Sequence, residues 1–148
     1  MNPRTKRTIQ RLSRVTLNPV LCSFIRMGLP LPGMGRKKAL VMETVGRKSA
    51  KLRRTPMGCL QVAPNRVLVV AERGRQADWV RNARAGGSVR IWFAGGRYRG
   101  TVSLLDEEDP EALLRRMGNP LHASTVRLLA HRPKVVAIDL SAEEGPGG

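Results

Sequence analysis

The chain has 148 residues, 27 Lys+Arg against 11 Asp+Glu, and a formal net charge of +16. That length suits one domain, and 41% hydrophobic residues can bury one core, which excludes wholesale disorder. Two cysteines exclude a disulfide scaffold and a four-cysteine metal site, and 3% aromatic residues argue against a stacking platform for single-stranded nucleic acid.

Residues 4–17 predict a basic amphipathic helix, with Ile9, Leu12 and Thr16 on one face and Arg7, Arg11 and Arg14 on another. Asn18-Pro19 breaks and restarts it, because Asn caps well and Pro suits a first helical turn. A second short helix is expected over Val20–Met27, closed by Gly28 and followed by a loop holding Pro30, Pro32, Gly33 and Gly35. No apolar run is long enough to span a bilayer, and no apolar signal core follows the basic start. The expectation is a cytoplasmic protein.

From Ala39 the pattern changes to strands. Ala39–Val45 and Arg53–Val62 predict a hairpin around Gly46-Arg47-Lys48-Ser49, and Val67–Ala71 predicts a short buried strand. Residues 75–85 predict a short helix holding Trp79. Val89–Phe93 alternates, with Val89, Ile91 and Phe93 facing one way and Arg90 and Trp92 the other. Gly95-Gly96 predicts a tight turn into Arg97–Leu105. Two further helices are expected over 107–117 and His122–Ala130, then a last strand over Val135–Leu140 and a disordered tail over 141–148. About six strands joined mostly by hairpins predict a mainly β (α+β) protein, a small closed or half-closed antiparallel barrel. The expected organisation is a basic helical segment over 1–37, the barrel over 38–140, and the tail.

The charge is uneven: +13 over residues 1–54, +6 over 55–105 and −3 over 106–148. A basic first third implies an anionic partner, whether nucleic acid, lipid headgroups or a phosphorylated or polycarboxylate small molecule.

Several motifs are incomplete. Gly28-x-x-x-x-Gly33 is followed by Met34 where a P-loop needs Lys, and Gly33-x-Gly35 has Lys38 where a dinucleotide fingerprint needs its third glycine. His122 and His131 stand nine apart with no Cys or carboxylate at ligand spacing, so no metal site is expected. Cys59 lies inside a strand and reads as a small buried hydrophobe. What remains is Glu43-Thr44-Val45-Gly46-Arg47-Lys48-Ser49, then Arg53-Arg54-Thr55-Pro56. Cations on a tight turn with free backbone N–H groups make an oxyanion cradle. Ala71-Glu72-Arg73-Gly74 follows, then Trp79 and Asn82, which share one helix face.

At these residues the sequence resembles the deazaflavin-dependent nitroreductase family, small split β-barrel proteins related to the FMN-binding split barrels. The resemblance runs from about Leu17 to Leu140. It rests on Asn18-Pro19-Val20, Gly28-Leu29-Pro30, the Glu43–Pro56 and Val69–Gly74 blocks, Trp79-x-x-Asn82-x-x-Ala85, and Arg132-x-x-Val135-Val136. It implies reduced coenzyme F420 as cofactor, with FMN the lesser expectation, and hydride delivery to quinones, nitroaromatics or other electron-poor acceptors. That cofactor carries a phosphate and a polyglutamate tail, in keeping with the basic first third. The resemblance places Lys48, Ser49 and Arg53 on the tail or phosphate and Pro56 at the pocket border. It places Ala71, Glu72, Arg73 and Gly74 near the cofactor, with Trp79 and Asn82 on its other side. Glu72 stands where many members carry serine, and becomes a proton donor if buried. Ala50 and Gly58 stand where members usually carry glycine and tyrosine, and Leu121–Ala130 lacks the family's C-terminal tyrosines.

The partners expected are a small-molecule electron acceptor and an anionic membrane surface contacted through residues 1–27, at the inner face of the membrane. An oligomer is allowed and nucleic acid is disfavoured. The alternative functions are a non-catalytic deazaflavin, flavin or acyl-chain binding protein of the same fold, or a nucleic-acid or membrane module.

Overall fold

The computed structural model describes residues 2–5, 18–27 and 37–142. Most of the helix expected over 4–17, the loop through Gly35 and the tail beyond Ala142 lie outside these residues. Residues 3–5 are helical.

Helix α1 spans Asn18–Arg26. Strand β1, Ala39–Val45, has the bounds that the sequence predicts. The predicted strand Arg53–Val62 is two strands, β2 (Leu52–Gly58) and β3 (Leu60–Ala63). Then come β4 (Arg66–Ala71), a 3-10 turn (Gly74–Gln76) and α2 (Asp78–Gly86). The chain continues as β5 (Val89–Phe93), β6 (Gly96–Leu105), α3 (Pro110–Met117), α4 (Pro120–Leu129) and β7 (Lys134–Ala142).

All seven strands pair antiparallel in one sheet, in the order β2-β1-β5-β6-β7-β4-β3. The two edge strands, β2 and β3, are neighbours in the chain. The backbone therefore steps from one edge of the sheet to the other at Cys59, whose N–H donates to the Lys38 carbonyl at 3.0 Å. A sheet whose edges are joined this way must curl, and the result is a half-closed barrel, the expected split-barrel class. Seven strands replace the expected six because that step divides one apolar run.

Alternation sorts the side chains onto two faces. Leu40, Met42, Ile91, Phe93, Val67, Val69, Val136 and Ile138 fill the barrel, joined by Val80 and Ala83 of α2. On the outside, Cys22 and Ile25 of α1 pack on Ala39, Val41 and Trp92. A second outer cluster joins Leu113, Leu114 and Met117 of α3 and Ala123 and Val126 of α4 to Leu68, Val135 and Ala137. Trp92 does face away from Ile91 as the alternation predicts, and α1 buries it to 9% exposure.

Turn chemistry corrects two boundaries. The hairpin turn after Phe93 is Ala94-Gly95, one residue earlier than expected, because Phe93 pairs with Gly96. Both turn residues have positive φ, 49° and 81°, as a two-residue turn of this hand requires. The acidic helix begins only at Pro110. Asp109 is its cap, accepting from the Glu111 N–H at 3.0 Å, while Asp106 bonds Arg75 at 2.6 Å.

Candidate functional site

The turn between β1 and β2 closes on itself. Gly46 N–H donates to the Lys51 carbonyl at 2.8 Å, Ala50 N–H to the Gly46 carbonyl at 2.8 Å, and Lys51 N–H to Ser49 Oγ at 3.3 Å. A Cβ at Gly46 would strike Ser49 Oγ, so only glycine lets the serine fold back. Ala50 sits at φ 57°, the left-handed region that favours glycine. The glycine usual in the resembled family would be at ease there.

Helix α2 holds this turn from across the barrel mouth. Asn82, buried at 7% exposure, turns Oδ1 toward Arg47 and accepts its Nη1–H at 2.8 Å and its backbone N–H at 3.2 Å. Asp78 pairs with the same guanidinium at 3.5 Å. Among the described residues the backbone N–H groups of Lys48 and Ser49 have no acceptor. The turn thus presents two donors without a protein acceptor beside the Lys48 ammonium, a donor set that suits an anionic oxygen.

A cleft of about 860 Å³ opens here, bounded by α1, the β1–β2 hairpin and α2. It wraps around edge strand β2. Thr44 pairs with Arg53, and Met42 with Thr55, so these side chains share the barrel face with Trp79 and Asn82 of α2. Glu43 pairs with Arg54 on the other face, where Cys22, Ser23 and Arg26 of α1 line the cleft. Five cations line it, Arg26, Arg47, Lys48, Arg53 and Arg54, with Asp78 as the acid among them.

The outer half is held by a charge cluster. Glu43, buried at 7%, accepts from Arg54 Nε at 2.9 Å and pairs with Arg90 Nη1 at 3.5 Å. Arg26, Arg54 and Arg90 all lie over the Trp92 ring, at 4.8, 5.6 and 5.9 Å from its centroid. A buried carboxylate between two guanidiniums fixes Arg54, and the ring takes part of the remaining positive field. Burial raises the Cys22 thiol against the opposing pull of Arg54 and Arg26. Burial pushes Cys59 up to about 12, so neither thiol is a ready nucleophile.

The structure brings together Lys48, Ser49, Arg53, Trp79 and Asn82 around this cleft, Arg53 on the barrel face of β2, Trp79 and Asn82 on α2, and Lys48 and Ser49 in the turn. Pro56, Ala71, Glu72, Arg73 and Gly74 do not line it. Pro56 pairs with Val41 on the outer face of edge strand β2, and Ala71 is wholly buried in the barrel core. Gly74 has φ 55° and packs so closely on the Arg132 carbonyl that no Cβ fits. The Glu72 carbonyl receives the His131 N–H at 2.8 Å. Residues 71–74 thus tie β4 to the loop before β7.

Thr44, Arg47 and Arg54 stand in the block that the sequence singles out, yet carried no assigned role. Cys22, Ser23 and Arg26 had no signal at all, because helix packing brings them in. At Gly58, where the resemblance leads one to expect a tyrosine, no side chain fits. The space beyond its Cα holds the His122 ring of α4, with Nε2 at 2.7 Å from where a Cβ would stand. That Nε2 is buried without a partner among the described residues, and desolvation lowers the His122 pKa.

A family model for F420H(2)-dependent quinone reductases matches residues 23–132. No curated protein matches the chain. Among solved structures, an F420-H2 dependent reductase (FDR-A) superposes with a TM-score of 0.50 at 19% identity, over 70% of this chain and 94% of that one. A structure described as a domain-swapped dimer reaches a TM-score of 0.51 at 17% identity, over 93% and 99% of the two chains. General Stress Protein 26 from Bacillus anthracis reaches 0.50 at 12% identity, over 78% and 86%. At these low identities the superpositions show a shared fold alone.

Proposed function

Because the chain belongs to the F420H(2)-dependent quinone reductase family, we propose that its basic cleft holds reduced coenzyme F420 and presents it to small quinones. The chain is an F420-dependent oxidoreductase by that membership. The observation that carries the reading is the convergence of Lys48, Arg53 and the Asn82-anchored turn on one cleft.

The residues present fit the cofactor. A phosphate and several carboxylates need charge-assisted donors, and the cleft supplies five cations and two free backbone N–H groups. Thr44 adds a buried hydroxyl with no partner. The bound deazaflavin supplies the hydride. The chain supplies position: Lys48, Ser49 and Arg53 hold the anionic segment, and Trp79 and Asn82 form the wall opposite. Pro56, Ala71, Arg73 and Gly74 have no direct part in this reading, since they do not line the cleft. This reading gives Glu72 no proton transfer, since it stands outside the cleft.

Small quinones suit the site better than bulky nitroaromatics. The chain's single tyrosine, Tyr98, packs on the barrel core, and His122 fills the space beside Gly58. No tyrosine wall therefore clamps a large acceptor. A basic first third supports delivery to anionic membrane surfaces, where lipid-soluble quinones concentrate. Val20 and Met27, exposed at 54% and 71% on α1 and just beyond its end, support the same reading. No helix among the described residues is long and apolar enough to cross a membrane.

The test is steady-state oxidation of reduced F420, followed by absorbance, with menadione or a bulky nitroimidazole as acceptor. Menadione turnover well above nitroimidazole turnover is expected. Tight cofactor binding with no menadione turnover would overturn the substrate assignment.

A further inference from the structure

Thr44 is 3% exposed, and its Oγ1 is buried with no hydrogen-bond partner among the described residues. Its neighbours along β1 on the same face, Met42 and Leu40, are core residues with no polar atom to satisfy. Yet Thr44 is also a lining residue of a strongly cationic cleft. A buried hydroxyl without a partner is a standing cost, so a fold that keeps one needs a reason. Valine has nearly the same shape and would fill this position of the strand without that cost.

The register supplies the reason. Thr44 is the direct partner of Arg53, so both side chains leave the hairpin on the same face. Across the mouth, Asn82 commits Oδ1 to Arg47 and holds the turn still. Rotation about the Thr44 Cα–Cβ bond exchanges hydroxyl for methyl without moving the backbone. A hydroxyl turned to the cleft beside Arg53 meets whatever oxygen Arg53 attracts.

We propose that Thr44 is a specificity residue of this site: its hydroxyl donates to an anionic oxygen of the cofactor's phosphate-carboxylate segment, beside Arg53. The inference rests on the cofactor placement proposed above. It adds that the ligand-free protein holds one hydrogen bond in reserve, formed only when the anionic segment enters.

The experiment compares wild type, Thr44→Val and Thr44→Ser by fluorescence titration with F420 and with its tail-less deazaflavin riboside, and by thermal melting without ligand. Thr44→Val should weaken F420 binding about tenfold, the worth of a hydrogen bond to a charged group. Thr44→Ser should bind as wild type, and riboside binding should be the same in all three proteins. The ligand-free Tm of Thr44→Val should equal or exceed that of wild type, because the orphaned hydroxyl is gone.

A wild type that does not bind F420 would refute the cofactor placement itself. Wild-type binding with unchanged affinity in Thr44→Val would leave that placement standing and overturn the role of Thr44. A lower Tm for ligand-free Thr44→Val would show a partner already present, and would overturn it equally. An equal loss of riboside affinity would move the contact to the ring and refute the assignment to the anionic segment.

Discussion

Asn82 accepts two hydrogen bonds from Arg47, from Nη1 at 2.8 Å and from the backbone N–H at 3.2 Å, across 35 positions of sequence. One amide oxygen thereby sets both the path of the β1–β2 turn and the direction of its first cation. Losing it strands two donors in a part-buried site, a loss of about 1–3 kcal/mol. Asn82→Ala and Arg47→Ala should each lower F420 affinity, and the double variant should lose less than the sum. A double-mutant cycle on dissociation constants measures this, and strict additivity would remove the clamp from the site.

Lys48 and Arg53 face the cleft with no carboxylate partner among the described residues. Charge-assisted contacts of this kind contribute about 1.5–3 kcal/mol each. Lys48→Ala and Arg53→Ala should each raise the F420 dissociation constant at least about tenfold at low salt. The difference from wild type should shrink as ionic strength rises, because exposed cations are screened. Titrations at two salt concentrations check both statements.

Ala50 adopts φ 57°, where a Cβ costs about 1–2 kcal/mol. Ala50→Gly relieves that strain but loosens the unfolded chain, so the expected gain is on the order of 0.5–1 kcal/mol. A rise of a few degrees in Tm is the readout. A fall would mean that chain entropy outweighs the strain.

Residues 1–27 read from sequence as a segment that contacts an anionic membrane surface. Part of this segment also belongs to the fold: Cys22 and Ile25 of α1 cover Ala39, Val41 and Trp92. Deleting residues 1–27 should destabilise the fold, and Ile25→Ala alone should cost about 2–4 kcal/mol. Membrane association is better tested on the exposed positions, Val20 and Met27. Val20→Asp with Met27→Asp should lower pelleting with anionic vesicles while chemical denaturation stays as in wild type. Equal pelleting would exclude this face as the contact.

Burial lowers the His122 pKa from its ordinary 6.5, because the packed ring resists charging. The unfolded chain therefore takes the proton first as pH falls. The stability contribution is complete above about pH 6.5 and is lost as pH drops through the folded-state value. His122→Gln should flatten this part of the stability profile, measured by urea denaturation from pH 7.5 to pH 5. The Gly58→Ala variant should destabilise at every pH, since its Cβ would press on the same ring.

Local chemistry alone determined much of this protein. β-Branched runs made β1 and β5 legible to the residue, whereas the starts of α3 and α4 were misplaced by two or three residues, because their caps Asp109 and Asn119 are each followed by a proline that the acidic and apolar patterns did not single out. The glycine turn with its cations was legible too, because a tight turn needs particular residues in sequence. The tertiary structure decided the rest. One apolar run, Arg53–Val62, became the two opposite edges of the sheet, since periodicity reports which face a residue takes but not which neighbour a strand finds. For the same reason Glu72 and Lys48 looked equally near a ligand in the sequence. Only the curl of the sheet and the docking of α1 and α2 set Lys48, Arg53, Trp79 and Asn82 around one cleft and left Glu72 outside it.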